Sequence, residues 1–192
     1  MTSTQESHPD SSAPFQALTG QHVLLLRHSA SAVGIDRCRT VAESIYAQLG
    51  DVPGAGPFLY DLPVRIRSTA RFLGVLIALI GADPFDTGRL EVEFAAVGRS
   101  HARAGLPPVL LDLGAAVFVR CMAAAAADNR QPWTTEDMSA WDILMRAGVE
   151  VQKRAYAWAA PQDPHARPAV TAPSSSVAPG VSSAPEPGIS AG

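Results

Sequence analysis

Cysteine is nearly missing from this chain of 192 residues. There are two, Cys38 and Cys121, too few for a disulfide framework and not spaced as a Cys-x-x-Cys metal or redox pair. Both fall in helix-like segments, where a free thiol behaves as a small hydrophobe. A basic excess is missing as well: the net charge is −3, which argues against a nucleic-acid partner. No apolar run is read as reaching the ~18 to 20 residues of a bilayer span, so no membrane segment is expected. The opening stretch MTSTQESHPDSSAP has neither the basic nor the apolar region of a secretory leader, and the expected location is the cytoplasm. Period-two alternation, nucleophile elbows and phosphate loops are also wanting.

What the chain does have is apolar content, 47% of its residues, enough for one core. Composition changes at Pro161. From there to Gly192 the residues are mostly Pro, Ala, Ser, Gly and Val, which bury too little surface to offset the entropy of ordering them. Residues 161–192 are therefore expected to be a disordered tail, 1–16 a disordered N-terminal segment, and 17–160 the folded unit.

Within that unit the helical period dominates. Thr19 is a cap for QHVLLLRHSASAV and Asp36 for the next helix, with Val41, Ile45 and Leu49 on one face before Gly50. Pro63 suits the first turn of a third helix carrying Ile66, Leu73, Leu76, Ile77 and Ile80. A helix from Leu90 to His101 follows the break DPFDTG. The alanine-rich segment PPVLLDLGAAVFVRCMAAAAADN and the Thr-capped WTTEDMSAWDILMRAGVEVQKRAYAW complete the set. The fold class is all-α.

One residue resists that scheme. His101, in VGRSHARAGLPP, shares a helical face with Leu90, Phe94 and Val97. A buried neutral imidazole needs partners for both ring nitrogens. Either a neighbouring side chain satisfies it, or something outside the sequence does.

Four segments in order carry a resemblance: ESIYAQL, PFLYDL, VGRSHARAGLPP and WTTEDMSAW. Together they resemble a globin, specifically the single-domain bacterial type related to the haem domain of flavohaemoglobins. The likeness covers roughly Leu18 to Trp158. It implies a globin-like fold of about six to eight helices around a haem pocket. It also implies haem b as cofactor, with His101 the axial ligand of iron. The second ring nitrogen of His101 would then donate to the carbonyl of Val97 or the hydroxyl of Ser100, the local candidates.

The same resemblance implies that Tyr46 points into the distal pocket and donates to a bound gas. Phe58 would pack on the porphyrin, with Leu59 and Tyr60 as rivals across a Gly/Pro-rich loop. Thr69, or Arg71 half a turn on, would be the distal residue, with Leu73 an apolar lid and Val97 beside the ligand histidine. Arg65 or Arg67 would meet a haem propionate. At the places where flavohaemoglobins set a tyrosine and a glutamate against the proximal histidine, the chain is read as having Leu111 and Tyr156. The implied partners are dioxygen or another diatomic gas. Nitric-oxide dioxygenation would need a separate reductase, because no flavin or nicotinamide fingerprint follows the globin-like part. The alternative is a haem-free globin-fold sensor or protein-interaction module. His22 and His28 lie six apart, not on one helical face as a metal pair.

Overall fold

Thr19 starts the first helix in the manner its sequence implies. In the computed structural model, which describes residues 14–159, its side chain accepts from the backbone of His22, and the His22 ring accepts in return from the Thr19 N–H. Two N–H groups that a helix end leaves unpaired are thereby satisfied. The helix so opened, α1, is Gly20–Val33. There follow α2 (Cys38–Gly50), α3 (Leu62–Gly81), α4 (Thr87–Arg103), α5 (Val109–Asp128) and α6 (Thr135–Ala159), with 3-10 turns at Ile35–Arg37 and Gly56–Phe58. Among the described residues there is no strand. The protein is all-α.

Local chemistry explains most of the boundaries. Pro63 sits in the first turn of α3, Asp86 caps α4 by accepting from Arg89 N–H, and Thr134 and Asp137 bond each other's backbone at the start of α6. Gly105 ends α4 with φ +67°. Its N–H reaches the carbonyl of Ala102 and that of Leu106 reaches His101, the paired bonds of a Schellman cap.

Three expectations need correction. Asp36 does not cap α2: it lies inside the Ile35–Arg37 turn, and α2 begins at Cys38 without a side-chain cap. The folded unit starts before residue 17, because Phe15 is buried with its ring centroid 6.0 Å from that of Phe94. One bulky aromatic outweighs its polar neighbours. Finally, α5 is long and apolar enough, by length and composition, to cross a bilayer. Asp112 and Arg120 interrupt the apolar run, yet they are too few to lower its average. In the fold α5 lies against α6, α2 and α1 and buries Leu111, Val117, Phe118 and Met122. The proposed tail, 161–192, and residues 1–13 lie outside the described residues.

The core is centred on Trp141, Phe94, Leu26, Leu73, Leu76, Ile80, Leu90, Met122 and Leu144. Trp133 stacks on Trp141, and both indoles donate to Ser29, one to its carbonyl and one to its hydroxyl at 2.8 Å. The most extensive helix pair is α4 with α6. Two glycines make it close. A Cβ at Gly148 would collide with the Phe94 ring, and a Cβ at Gly98 would lie 2.7 Å from the Cα and carbonyl oxygen of Gln152. Residues 94 and 98 thus meet 148 and 152, four apart on each helix, so the two axes run locally in the same sense.

Candidate functional site

The face of α4 that carries Leu90, Phe94, Val97 and His101 divides along its length. Leu90 and Phe94 are fully buried in the core, whereas Val97 and His101 line a cavity of about 460 Å³. That volume falls within the range of small-molecule and cofactor sites. Its apolar wall includes Ile45, Leu49, Phe58, Phe72, Phe118 and Met145, contributed by four helices and the loop after α2. The amphipathic period of each helix sends those residues inward. The Gly/Pro-rich loop brings Phe58 to the wall beside Leu59 and Tyr60.

Two side-chain pairs stand out among the polar lining residues. Nδ1 of His101 is 3.0 Å from Oε1 of Gln152, itself buried on α6. Burial pushes the imidazole pKa down from its usual value; the bond to Gln152 opposes this, and the charge of Arg65 adds to it. His101 is therefore neutral near pH 7, and no hydrogen bond engages its Nε2 among the described residues. From α2 and α3, the hydroxyls of Tyr46 and Thr69 lie 3.0 Å apart. Two hydroxyls hold two protons and one bond joins them, so one O–H remains able to donate. Arg65 stacks over the Tyr60 ring at 4.3 Å and donates to the Tyr60 carbonyl at 2.8 Å. Among the described residues it has no acidic partner within salt-bridge distance.

Tyr46, Phe58, Thr69, Val97 and His101 are thus brought together on one cavity. Leu73 is not among them. The lining stripe of α3 runs through Arg65, Ser68, Thr69 and Phe72, and Leu73 is turned past its edge into the core, fully buried. Arg67 and Arg71 are exposed and off the cavity. Phe58, Leu59 and Tyr60 all reach the wall, so the loop supplies all three rivals.

The partner of His101 also differs from expectation. Neither Ser100 nor the Val97 carbonyl satisfies the ring; Gln152 does. Tyr156 instead donates to the carbonyl of Leu106, just past the end of α4, and burial pushes its phenol up to about 12. Leu111 lines the cavity. Gln152 went unnoticed in the sequence although a signal existed: Met145, Val149, Gln152 and Tyr156 follow at spacings of four, three and four. An amide in an apolar stripe on α6 mirrors the imidazole in the apolar stripe on α4.

The remaining candidates do other work. His22 completes the α1 cap, and exposed His28 stands 3.9 Å from the buried carboxylate of Asp137. Burial pushes the thiols of Cys38 and Cys121 upward, which disfavours the reactive thiolate. No family model, curated protein or solved structure matches the chain. The described residues define an all-α protein with a cavity into which one neutral imidazole is set.

Proposed function

We propose that the chain is a haem-binding globin that binds dioxygen, and nitric oxide, reversibly at a His101-ligated iron. The observation that carries this reading is the setting of His101: burial beside an apolar cavity wall favours its neutral form, Nδ1 is engaged by Gln152, and Nε2 has no partner among the described residues. Metal-bound histidines are commonly held in this way, one nitrogen on the metal and the other on an acceptor that fixes the ring. The fit extends to the donor set. Among the described residues the lining has one imidazole, His101, and one carboxylate, Asp61, and no cluster of three metal-ligating side chains, so an ion held there would bring most of its ligands with it, as iron in a porphyrin does.

The other lining residues suit such a group. Phe58, Phe72 and Phe118 offer flat apolar surface, and Arg65 offers a cation for a carboxylate substituent. Haem, when bound, would supply the iron at which a diatomic gas coordinates. Tyr46 and Thr69 would donate to partial negative charge on that gas, and the apolar wall would keep water away. Oxygen binding or transport requires nothing further. Nitric-oxide dioxygenation would require electrons from a separate reductase.

An absorption spectrum of the purified full chain tests the reading directly. A Soret band, shifted when carbon monoxide is added to the ferrous protein, is the expected result. A chain that stays colourless after expression with ample haem, and takes up none when titrated with hemin, would favour the haem-free sensor or interaction module.

A further inference from the structure

We propose that His28 on α1 and Asp137 on α6 are the protein ligands of a divalent transition cation of the zinc type, bound at the corner where the two helices meet. The site shares no residue with the cavity lining, so it stands whether or not haem binds.

Asp137 is 1% exposed. One carboxylate oxygen, Oδ2, accepts from the N–H and the hydroxyl of Thr134 at 2.9 and 3.0 Å. The other, Oδ1, is buried and has no hydrogen-bond partner among the described residues. A buried anionic oxygen left alone costs its full desolvation, so a partner is called for. Nδ1 of His28 faces it at 3.9 Å. That is too far for a hydrogen bond. It is within the span of two ligands sharing one ion, since bonds of about 2.0–2.2 Å hold their donors roughly 3–4 Å apart.

The surroundings hold that span. The two bonds from Thr134 keep the Asp137 carboxylate from turning, and the N–H of Asp137 donates back to the Thr134 hydroxyl. Next to His28 in the chain, Ser29 receives the indole N–H groups of Trp133 and Trp141, which ties α1 to the start of α6. The His28 side chain, by contrast, is 75% exposed. Its ring can close on an ion while water fills the remaining positions. A carboxylate with a neutral imidazole suits zinc and its neighbours, whereas magnesium and calcium prefer oxygen donors alone. The charge of the ion would also balance the buried carboxylate.

The test is a titration of the full chain, expressed without added haem and stripped with a chelator, with zinc chloride at neutral pH. Excess zinc should raise the thermal midpoint by roughly 2–4 °C, because an ion that binds only the folded chain stabilises it. In ¹⁵N spectra of histidine-labelled protein the His28 ring signals should move before those of His22 and His101. Magnesium chloride at the same concentration should do neither. His28→Gln alters an exposed side chain and should abolish the response. Asp137→Asn, whose amide oxygen can still accept from Thr134, should abolish it too; if that variant does not fold, His28→Gln still decides. A midpoint unmoved by excess zinc would overturn the site, as would an equal response to magnesium or a full zinc response in His28→Gln. Stabilisation that appears only on acidification, without any response to zinc, would assign the free oxygen to a protonated His28 and overturn it as well.

Discussion

The hydroxyls of Tyr46 on α2 and Thr69 on α3 stand 3.0 Å apart on the wall of the cavity that also holds His101. Neither helix supplies the pair alone; α2 and α3 pack together and place it. Under the proposed function, Tyr46→Phe removes the bulkier donor and leaves Thr69 as the remaining hydroxyl. A hydrogen bond of ~1–3 kcal/mol in a dry pocket corresponds to roughly 5- to 150-fold faster release of dioxygen. Carbon monoxide places less charge on its outer atom, so its release should change much less. Stopped-flow dissociation of both gases measures the difference. Equal effects on the two would place the hydroxyl away from the ligand.

His101→Ala should abolish stable haem uptake while leaving helical content intact, because the side chain lines the cavity and the core is elsewhere. Added imidazole should restore part of the spectrum. An unaltered histidine-type spectrum would overturn His101 as the ligand.

Gly148→Ala tests the contact between α4 and α6 on the side away from Gln152. The new methyl meets the ring of Phe94, which is fully buried and also packed edge-on against Phe72 at 5.4 Å. The ring must give way, and overpacking of this kind costs about 1–3 kcal/mol. Urea unfolding should show a lower midpoint with an unchanged slope. A midpoint equal to that of the unaltered protein would mean that the interface is looser than its geometry implies.

Alkaline stability should depend on Tyr156. Its phenol, which donates to the Leu106 carbonyl, is pushed by burial from 10.0 up to about 12. A raised folded pKa means that the native state holds its proton longer than the unfolded chain does. The contribution is therefore complete below pH 10 and is lost as pH rises through about 12. Tyr156→Phe should be less stable at neutral pH and should lose less stability over that alkaline window. Denaturation midpoints of the two proteins at several pH values check it; parallel curves would contradict the assignment.

The helices were legible because their signals are local. The Thr19 cap, the Pro63 start and the Gly105 stop are decided within a turn or two of chain, and the apolar stripes of α3 and α6 follow from spacing alone. The odd position of His101 was legible for the same reason: an imidazole on an apolar face is visible against its own helix. Asp36 misled because a capping residue type is also at home in a 3-10 turn, and the choice lay in how α1 joins α2.

Only the tertiary structure decided what His101 meets. The partner stands 51 residues further on, across an interface closed by two glycines whose importance lies in what the facing helix brings against them. Leu73 shows the same limit, since helical spacing places it near Thr69 but the packing of α3 decides which of the two borders the cavity. By itself the sequence determined an all-α chain with one misplaced imidazole, because periodicity and capping act over a few residues. The Gln152 bond, the Tyr46–Thr69 pair and the cavity between them come from distant segments meeting, and no local pattern specifies that meeting.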